Sequence, residues 1–523
     1  MAADAIGVPL VRPPAGTSGA PGDTSHHSPG RGRVLRPSVV LLGILALAAG
    51  LRFAFLASNS VWLDEAFVVW VAQHPWREIP GLLRLVDQHP PLYFLLMHIW
   101  IAIAGTSEVA IRFPSACFSL CSVLLTYALI RRVSTEAVSL LSALLVAIAP
   151  FQIMAAQEAR MYPLVGALTL ASTLALFTSV ARGGVIRWAG YLAASTLMAY
   201  THYLGVLILL AHGIWVTSCA RRALGPWLAC MALVAAAFIP WMPSLLEQAR
   251  AGHGFAWYHN RLPAMNLGDL LGLSAFGGSL FGMAGYFFTG SLGPAEQIIV
   301  LLPFLALLWR GVAGFGADRR TLPFLALPPG VAIGALWLFS LTHPMFVPRW
   351  FSFLMPFFAV FLARGVYEVA DHLDLRRDWV AAVLVGALLL YQVPVLDRYY
   401  GDPHFRPFQW RAAARLVRGQ ARPGDAFVFV GSQAALPFRY YFREPYPSLE
   451  LTSRGRFTLT DPQVRDLAAR HPRVWLVAAI PFAAATRDPL MEGLGREYSV
   501  VGLRDFSGAI VYLLSARLGP SKP

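Results

Sequence analysis

Runs of apolar residues separated by short polar connectors recur along most of the chain, at 39–56, 91–104, 109–130, 138–151, 161–180, 188–200, 203–219, 224–246, 297–309, 321–341, 350–370 and 379–396. A helix needs about 20 such residues to cross a bilayer. The pattern predicts a polytopic α-helical membrane protein. The run at 91–104 is short for a span, so a re-entrant or interfacial segment is expected there. Arginines mark alternate connectors: Arg131-Arg132, Arg182 with Arg187, Arg221-Arg222, Arg310 with Arg319-Arg320, and Arg376-Arg377. The positive-inside rule places these in the cytoplasm, and parity then gives about 11–13 transmembrane helices, one of them partial.

The two ends of the chain break the pattern. Residues 1–36 are rich in Pro, Gly and Ser with Arg12, Arg31, Arg33 and Arg36, and read as a disordered cytoplasmic tail. The first apolar run behind it is expected to be a transmembrane helix and not a cleaved signal. Residues 37–396 form the membrane domain. Residues 397–523 read as a small soluble α/β domain on the outer side, with a helix near Trp410–Arg418 and strands at Ala426–Val430, Arg473–Ala479 and Ala509–Leu514. A structural or acceptor-orienting cap is the expected role for it.

Composition agrees with the patterning. Hydrophobic residues make up 57% of the chain and charged ones only 13%, with a mean hydropathy of +0.56. The net charge of +14 reads as topology and attraction to anionic lipid, not nucleic-acid binding. Lys522 is the only lysine. Cys117, Cys121, Cys219 and Cys230 lie in or beside apolar runs without zinc spacing. No P-loop, dinucleotide fingerprint or Ser-His-Asp ordering occurs, which argues against nucleotide hydrolysis at the inner face.

The candidate chemistry collects in the outward connectors. Asp64-Glu65 follows the first apolar run among Trp62, Leu63, Phe67 and Trp70. Either acid could accept a hydroxyl proton or hold a hard cation. Adjacent helical residues project about 100° apart, so one acid should face the site, Asp64 by preference, and the other support it. Glu158 and Arg160, followed by Tyr162, form a second cluster. Glu158 could share a cation with Asp64, and Arg160 suits a phosphate or either acid. Asp87-Gln88-His89-Pro90-Pro91, Thr201-His202-Tyr203 and Pro348-Arg349-Trp350 supply further polar groups, and Arg349 could meet a lipid phosphate. The long connector 247–296 adds His253, Trp257, Tyr258, His259 and Arg261.

Taken together, L-D-E-A, D-Q-H-P-P-L-Y, I-R-F-P-S-A at 111–116, Q-E-A-R-M-Y, T-H-Y and P-R-W-F-S-F-L-M-P resemble the bacterial glycosyltransferase family 39. That family includes protein O-mannosyltransferases and aminoarabinose transferases, and the resemblance spans 39 to about 370. It implies the GT-C fold, a bacterial plasma-membrane location, and inverting transfer of a sugar from a polyprenyl-phosphate donor to a lipid or glycan acceptor at the outer face. Asp64, Glu65 and Glu158 are then the catalytic candidates, with Asp64 as general base. His89, Arg160 and Arg349 fall to the donor phosphate, and Tyr162, His202, Tyr203 and His259 to the substrate. A divalent cation on Asp64 and Glu158 is an open option, and no other cofactor is implied. The alternative is a lipid-linked sugar flippase or a non-catalytic polysaccharide-assembly subunit. Transporters, however, tend to place ionisable groups at mid-membrane on broken helices, and here they gather at one face.

Overall fold

The computed structural model describes residues 36–251, 305–316, 318–340, 342, 348–372, 376–401, 408–451, 459–479 and 484–517. The expected tail 1–35 and the segment with His253, Trp257, Tyr258, His259 and Arg261 lie outside the described residues.

The apolar runs fold as helices: α1 Pro37–Phe53, α2 Leu63–Ala72, α3 Ile79–Val86, α4 Leu92–Ala104, α5 Glu108–Ile130, α6 Glu136–Ile148, α7 Pro150–Ala156, α8 Tyr162–Arg182, α9 Val185–Thr201, α10 Gly205–Cys219, α11 Leu224–Phe238 and α12 Met242–Ala251. Further helices cover Thr321–Ser340, Met355–His372 and Arg377–Gly401, with a 3-10 segment at Pro348–Leu354. Among the described residues, five helical segments are long and apolar enough to cross a membrane, and α6 with α7 makes a sixth bent by 57°. At 13 residues, α4 rises only about 20 Å, too little to cross a hydrocarbon core of about 30 Å.

Prolines shape the bundle, and polar side chains repair what they break. Proline has no N–H, so the carbonyl four residues earlier loses its helical donor. Pro150 opens α7, and Val146 is the carbonyl it leaves. Arg52, fully buried on α1, donates to Val146 O at 3.1 Å and to Ala147 O at 2.8 Å. A cation at a helix C-terminus also meets the negative end of its dipole. Pro114 lies inside α5, and the indole of Trp100 donates to Ala110 O at 2.7 Å. In this way α1 is tied to α6, and α4 to α5.

The C-terminal unit is a five-stranded sheet in the order β2-β1-β3-β5-β4, with β1 Ala426–Val430, β2 Ser448–Leu451, β3 Arg473–Ala479, β4 Tyr498–Phe506 and β5 Ala509–Ala516. β1 runs parallel to both β2 and β3, while β5 is antiparallel to β3 and β4. Alternate residues of the buried β1 serve opposite faces. Phe427 and Phe429 pack with Trp410 and Phe438 from helices Trp410–Gln420 and Ser432–Tyr441. Val428 and Val430 pack with Val464 and Leu490 from Asp461–Arg470 and Ala484–Gly495. The face bearing Ser432–Tyr441 rests on the helical bundle, where Leu436, Tyr440 and Tyr441 join the hydrophobic cluster around α2.

Candidate functional site

The first turn of α2 separates the two adjacent acids. Glu65 is fully buried and receives two parallel bonds from the Arg112 guanidinium, Nε to Oε1 at 2.7 Å and Nη2 to Oε2 at 2.6 Å. The Ala159 amide donates to Oε1 at 2.9 Å and the Trp62 amide to Oε2 at 3.4 Å. A carboxylate offers about four lone-pair sites, and Glu65 has filled them. Glu65, expected among the catalytic acids, joins α2, α5 and the bend before α8 through these bonds. Asp64 points elsewhere. Its side chain keeps 20% of its surface accessible, and Arg160 Nε stands 3.8 Å from Oδ2.

Around Arg160 gathers a group of rings and acids drawn from distant connectors. Its guanidinium carbon lies 5.9 Å from the Tyr162 ring centre. The Tyr162 and His202 rings are 6.0 Å apart, and His202 meets His89 edge-on at 5.3 Å. His89 Nδ1 lies 3.0 Å from Asp87 Oδ1. Burial opposes charge on Asp87, but the His89 imidazole, its hydrogen bond and the Arg160 charge outweigh that and hold the carboxyl below the ordinary value of 3.8. An ionised carboxylate only accepts, so His89 carries a proton on Nδ1. Burial, reinforced by the charges of His89 and Arg160, drives His202 well below 6.5 and keeps it neutral. Its Nδ1 accepts from the Leu204 amide at 3.2 Å, which leaves the proton on Nε2. Three buried polar atoms here have no hydrogen-bond partner: Asp87 Oδ2, Tyr162 OH and His202 Nε2. Buried polar atoms are normally satisfied, so three orphans in one place mark unmet hydrogen-bonding capacity.

The network that aligns these groups rests partly on residues not singled out from the sequence. Ser115 Oγ donates to Arg160 O at 3.1 Å and lies 3.2 Å from Tyr93 OH. Arg112 also holds the loop before α2, donating to Leu56 O at 2.6 Å and Asn59 O at 2.9 Å. Four separate sequence motifs are thus knitted together through Tyr93, Arg112, Ser115 and Glu65. The signal available in the sequence was an arginine inside an apolar run, two residues before a proline. A charge there must have a partner.

Other candidates divide. Glu158 sits half-buried in the bend between α7 and α8. Tyr203 is beside the site, but its hydroxyl donates to Gln248 at 2.6 Å and accepts from the Trp241 indole at 2.8 Å. That hydroxyl, of a residue expected to bind substrate, ties α12 to the site. Arg349 stands on the segment Pro348–Leu354, whose Trp350, Phe351 and Phe353 belong to the same cluster as Tyr162 and α2. His259 lies outside the described residues. Among the described residues, no three His, Cys, Asp or Glu side chains converge as a metal site. Asp64 and Glu158 would supply only two ligands where a hard cation takes six or more oxygens. The cation facing Asp64 is Arg160.

Comparison with known proteins bears on the fold. Residues 88–243 match the family model described as dolichyl-phosphate-mannose-protein mannosyltransferase. No curated protein matches the chain in sequence. Among solved structures, ArnT from Cupriavidus metallidurans bound to undecaprenyl phosphate superposes with a TM-score of 0.58 at 14% identity, covering 91% of this chain and 98% of that one. The Archaeoglobus fulgidus oligosaccharyltransferase tethered to an acceptor peptide gives 0.55 at 13% identity, covering 91% and 74%. At such identities the likeness establishes the fold. Motifs, family segment and fold agree: the chain is a membrane protein of the GT-C glycosyltransferase fold, similar to glycosyltransferase family 39.

Proposed function

We propose that this protein is a membrane glycosyltransferase that moves a hexosyl or pentosyl group from a polyprenyl-phosphate donor to a lipid or glycan acceptor at the extracytoplasmic face of the bacterial plasma membrane. The observation that carries the reading is the division of labour between the two acids: Glu65 is saturated, while Asp64 stays accessible beside a buried arginine. The proteins of like fold were solved with undecaprenyl phosphate or dolichol phosphate bound, and a phosphate suits the cationic and orphaned groups around Arg160.

In this reading Asp64 accepts the proton of the acceptor hydroxyl as its oxygen attacks the anomeric carbon from the face opposite the phosphate. The bond from that carbon to the phosphate oxygen breaks, its electron pair leaves with the polyprenyl phosphate, and the configuration inverts. Arg160, the imidazole of His89 and Arg349 take up the charge that grows on the phosphate. Asp87 holds His89 through Nδ1 and so orients its ring. Tyr162 and His202 offer donors to the sugar or phosphate. Glu158 lies two residues from Arg160 and adds negative potential that keeps its charge in place. The arginine-rich ends of α5 and α8 face the cytoplasm, which puts the site and the C-terminal domain outside.

The test is transfer of radiolabelled sugar from a panel of polyprenyl-phosphate sugars into membrane lipid extract by purified protein. Asp64→Asn should reduce transfer by about 10²–10⁴-fold, the scale of general-base catalysis, with an unchanged melting temperature. Near-normal transfer by the variant would overturn the base assignment. Failure of the folded wild type with every donor would overturn the enzyme reading in favour of a flippase or assembly subunit.

A further inference from the structure

The short segment between α1 and α2 is gripped from both sides by guanidinium groups. From within the bundle, Arg112 donates to the carbonyls of Leu56, Asn59 and Ser60. From the C-terminal domain, Arg411 donates through Nη2 to Ala57 O at 2.6 Å and Asn59 O at 3.4 Å, and its amide reaches Ser60 Oγ at 3.3 Å. Each arginine is neutralised by a glutamate, Arg112 by Glu65 and Arg411 by Glu108. Glu108 and Arg112 sit one turn apart on α5, a spacing that puts them on one face.

The second contact is a tyrosine. Tyr441 donates its hydroxyl proton to Glu108, and its oxygen accepts from the Val61 amide at 2.7 Å. Beside it, Tyr440 donates to Thr106 O and Arg443 Nη2 to Thr106 Oγ1 at 3.1 Å. Arg411 and Tyr441 thus fix the backbone from Ala57 to Val61, and Asp64 follows three residues later in the first turn of α2. Nothing in the reaction itself requires these groups, since the proposed proton and phosphate chemistry is complete without them.

We infer that Arg411, Tyr441 and Glu108 form a latch by which the C-terminal domain positions Asp64. They are positioning residues: they touch the segment that carries the acid, and not the reacting atoms. This rests on the reading of Asp64 as the base. An ordered C-terminal domain then becomes a condition for a correctly placed carboxylate, and displacement by about 1 Å is enough to cost of the order of 10²-fold in rate.

The test uses the full-length protein with Tyr441→Phe, Arg411→Ala and Arg411→Lys, and Arg470→Ala as a control at an exposed ion pair of the same domain. Tyr441→Phe and Arg411→Ala should lower kcat by about tenfold to a hundredfold with donor KM within about twofold. Arg411→Lys should recover only part, since lysine lacks the planar fork, and Arg470→Ala should match wild type. Amide exchange gives a readout free of activity. Tyr441→Phe removes the acceptor of the Val61 N–H, so the peptide spanning 57–66 should exchange faster. Wild-type kcat in the folded Tyr441→Phe and Arg411→Ala variants, a loss confined to KM, or unchanged exchange at 57–66 would each overturn the latch. Loss of transfer in Asp64→Asn with normal kcat in both latch variants sinks the latch alone. An inactive wild type sinks the functional reading, and the exchange result then judges the latch.

Discussion

Asp64 and Glu65 are consecutive residues of one helix and each faces an arginine, yet their surroundings differ in every respect that decides chemistry. The Glu65–Arg112 pair is closed: two bonds of 2.6 and 2.7 Å join planar groups that water does not reach, and backbone amides fill the remaining acceptor sites. The Asp64–Arg160 pair is open, at 3.8 Å with one-fifth of the aspartate side chain accessible. A carboxylate that is fully bonded has no room for a substrate proton, and breaking its bonds is costly. A carboxylate that keeps part of its surface accessible can meet a substrate. The same two residue types therefore build the frame in one case and, in the proposed reaction, the working group in the other, and the helix's 100° step between neighbours separates them.

The largest break in that comparison should come from the closed pair. Arg112→Ala leaves the buried Glu65 without its counter-charge, with only the Ala159 and Trp62 amides on it, and also strips the carbonyls of Leu56, Asn59 and Ser60 of a donor. Removing one partner of a buried pair costs about 3–5 kcal/mol, enough to abolish recovery of folded protein from detergent. Thermal unfolding followed by size-exclusion chromatography reads this directly. Replacing both partners, Glu65→Met with Arg112→Met, should restore part of the stability, because no uncompensated charge remains. Stability of Arg112→Ala equal to wild type would show that the pair is not the frame.

The open pair should respond in activity instead. Arg160→Lys keeps the charge opposite Asp64 but loses the fork that can hold two phosphate oxygens. Transfer should fall by about tenfold to a hundredfold, of the order expected when one donor to a developing anion is lost, while the melting temperature shifts by no more than a few degrees. Steady-state kinetics with the active donor, set beside a melting curve, separates the two effects. A large stability loss with normal kinetics would place Arg160 with the frame.

Much of the frame and part of the site are legible in the chain itself. The apolar run at 426–430 and the segment 473–479, apolar after Arg473, become β1 and β3 with those bounds. β2 is four residues long, and β4 is a largely exposed edge with an irregularity between Val500 and Gly502, so neither carries a hydrophobic signature. The helix Ser432–Tyr441 hides behind Pro437 and a mixture of aromatic and polar residues, although it is the piece that meets α2. Asp64, Arg160, His89 and His202 can be suspected because ionisable residues at the ends of apolar helices need a reason. Their convergence cannot, since it depends on four connectors that only the packed bundle brings together. The roles of Glu65 and Arg112 were hidden for the same cause. Periodicity says that two adjacent acids diverge, and only the position of α5 says which one meets the arginine.

The smallest predicted effect concerns His202, the closed counterpart of His89. Its ring is buried against His89, Tyr162 and the Arg160 charge, with Asp87 beyond His89, and it is neutral in the folded protein. A histidine whose folded pKa lies below its unfolded value binds protons preferentially in the unfolded chain, so its contribution to stability falls as pH drops through the ordinary value of 6.5. The loss between pH 7.5 and 5.5 should be about 1 kcal/mol, since each full unit of pH below the unfolded pKa is worth up to about 1.4 kcal/mol per proton. Asp87 does not contribute in that window, because its carboxyl titrates below 3.8 in the folded protein and an unfolded aspartate titrates near that value. In His202→Asn the amide oxygen can still accept from the Leu204 N–H, but the titration is gone. Denaturant melts of both proteins at the two pH values should show the wild type losing about 1 kcal/mol more than the variant. Equal losses would mean that His202 takes up its proton in the folded state, and the imidazole facing His89 would then belong with the open groups around Arg160.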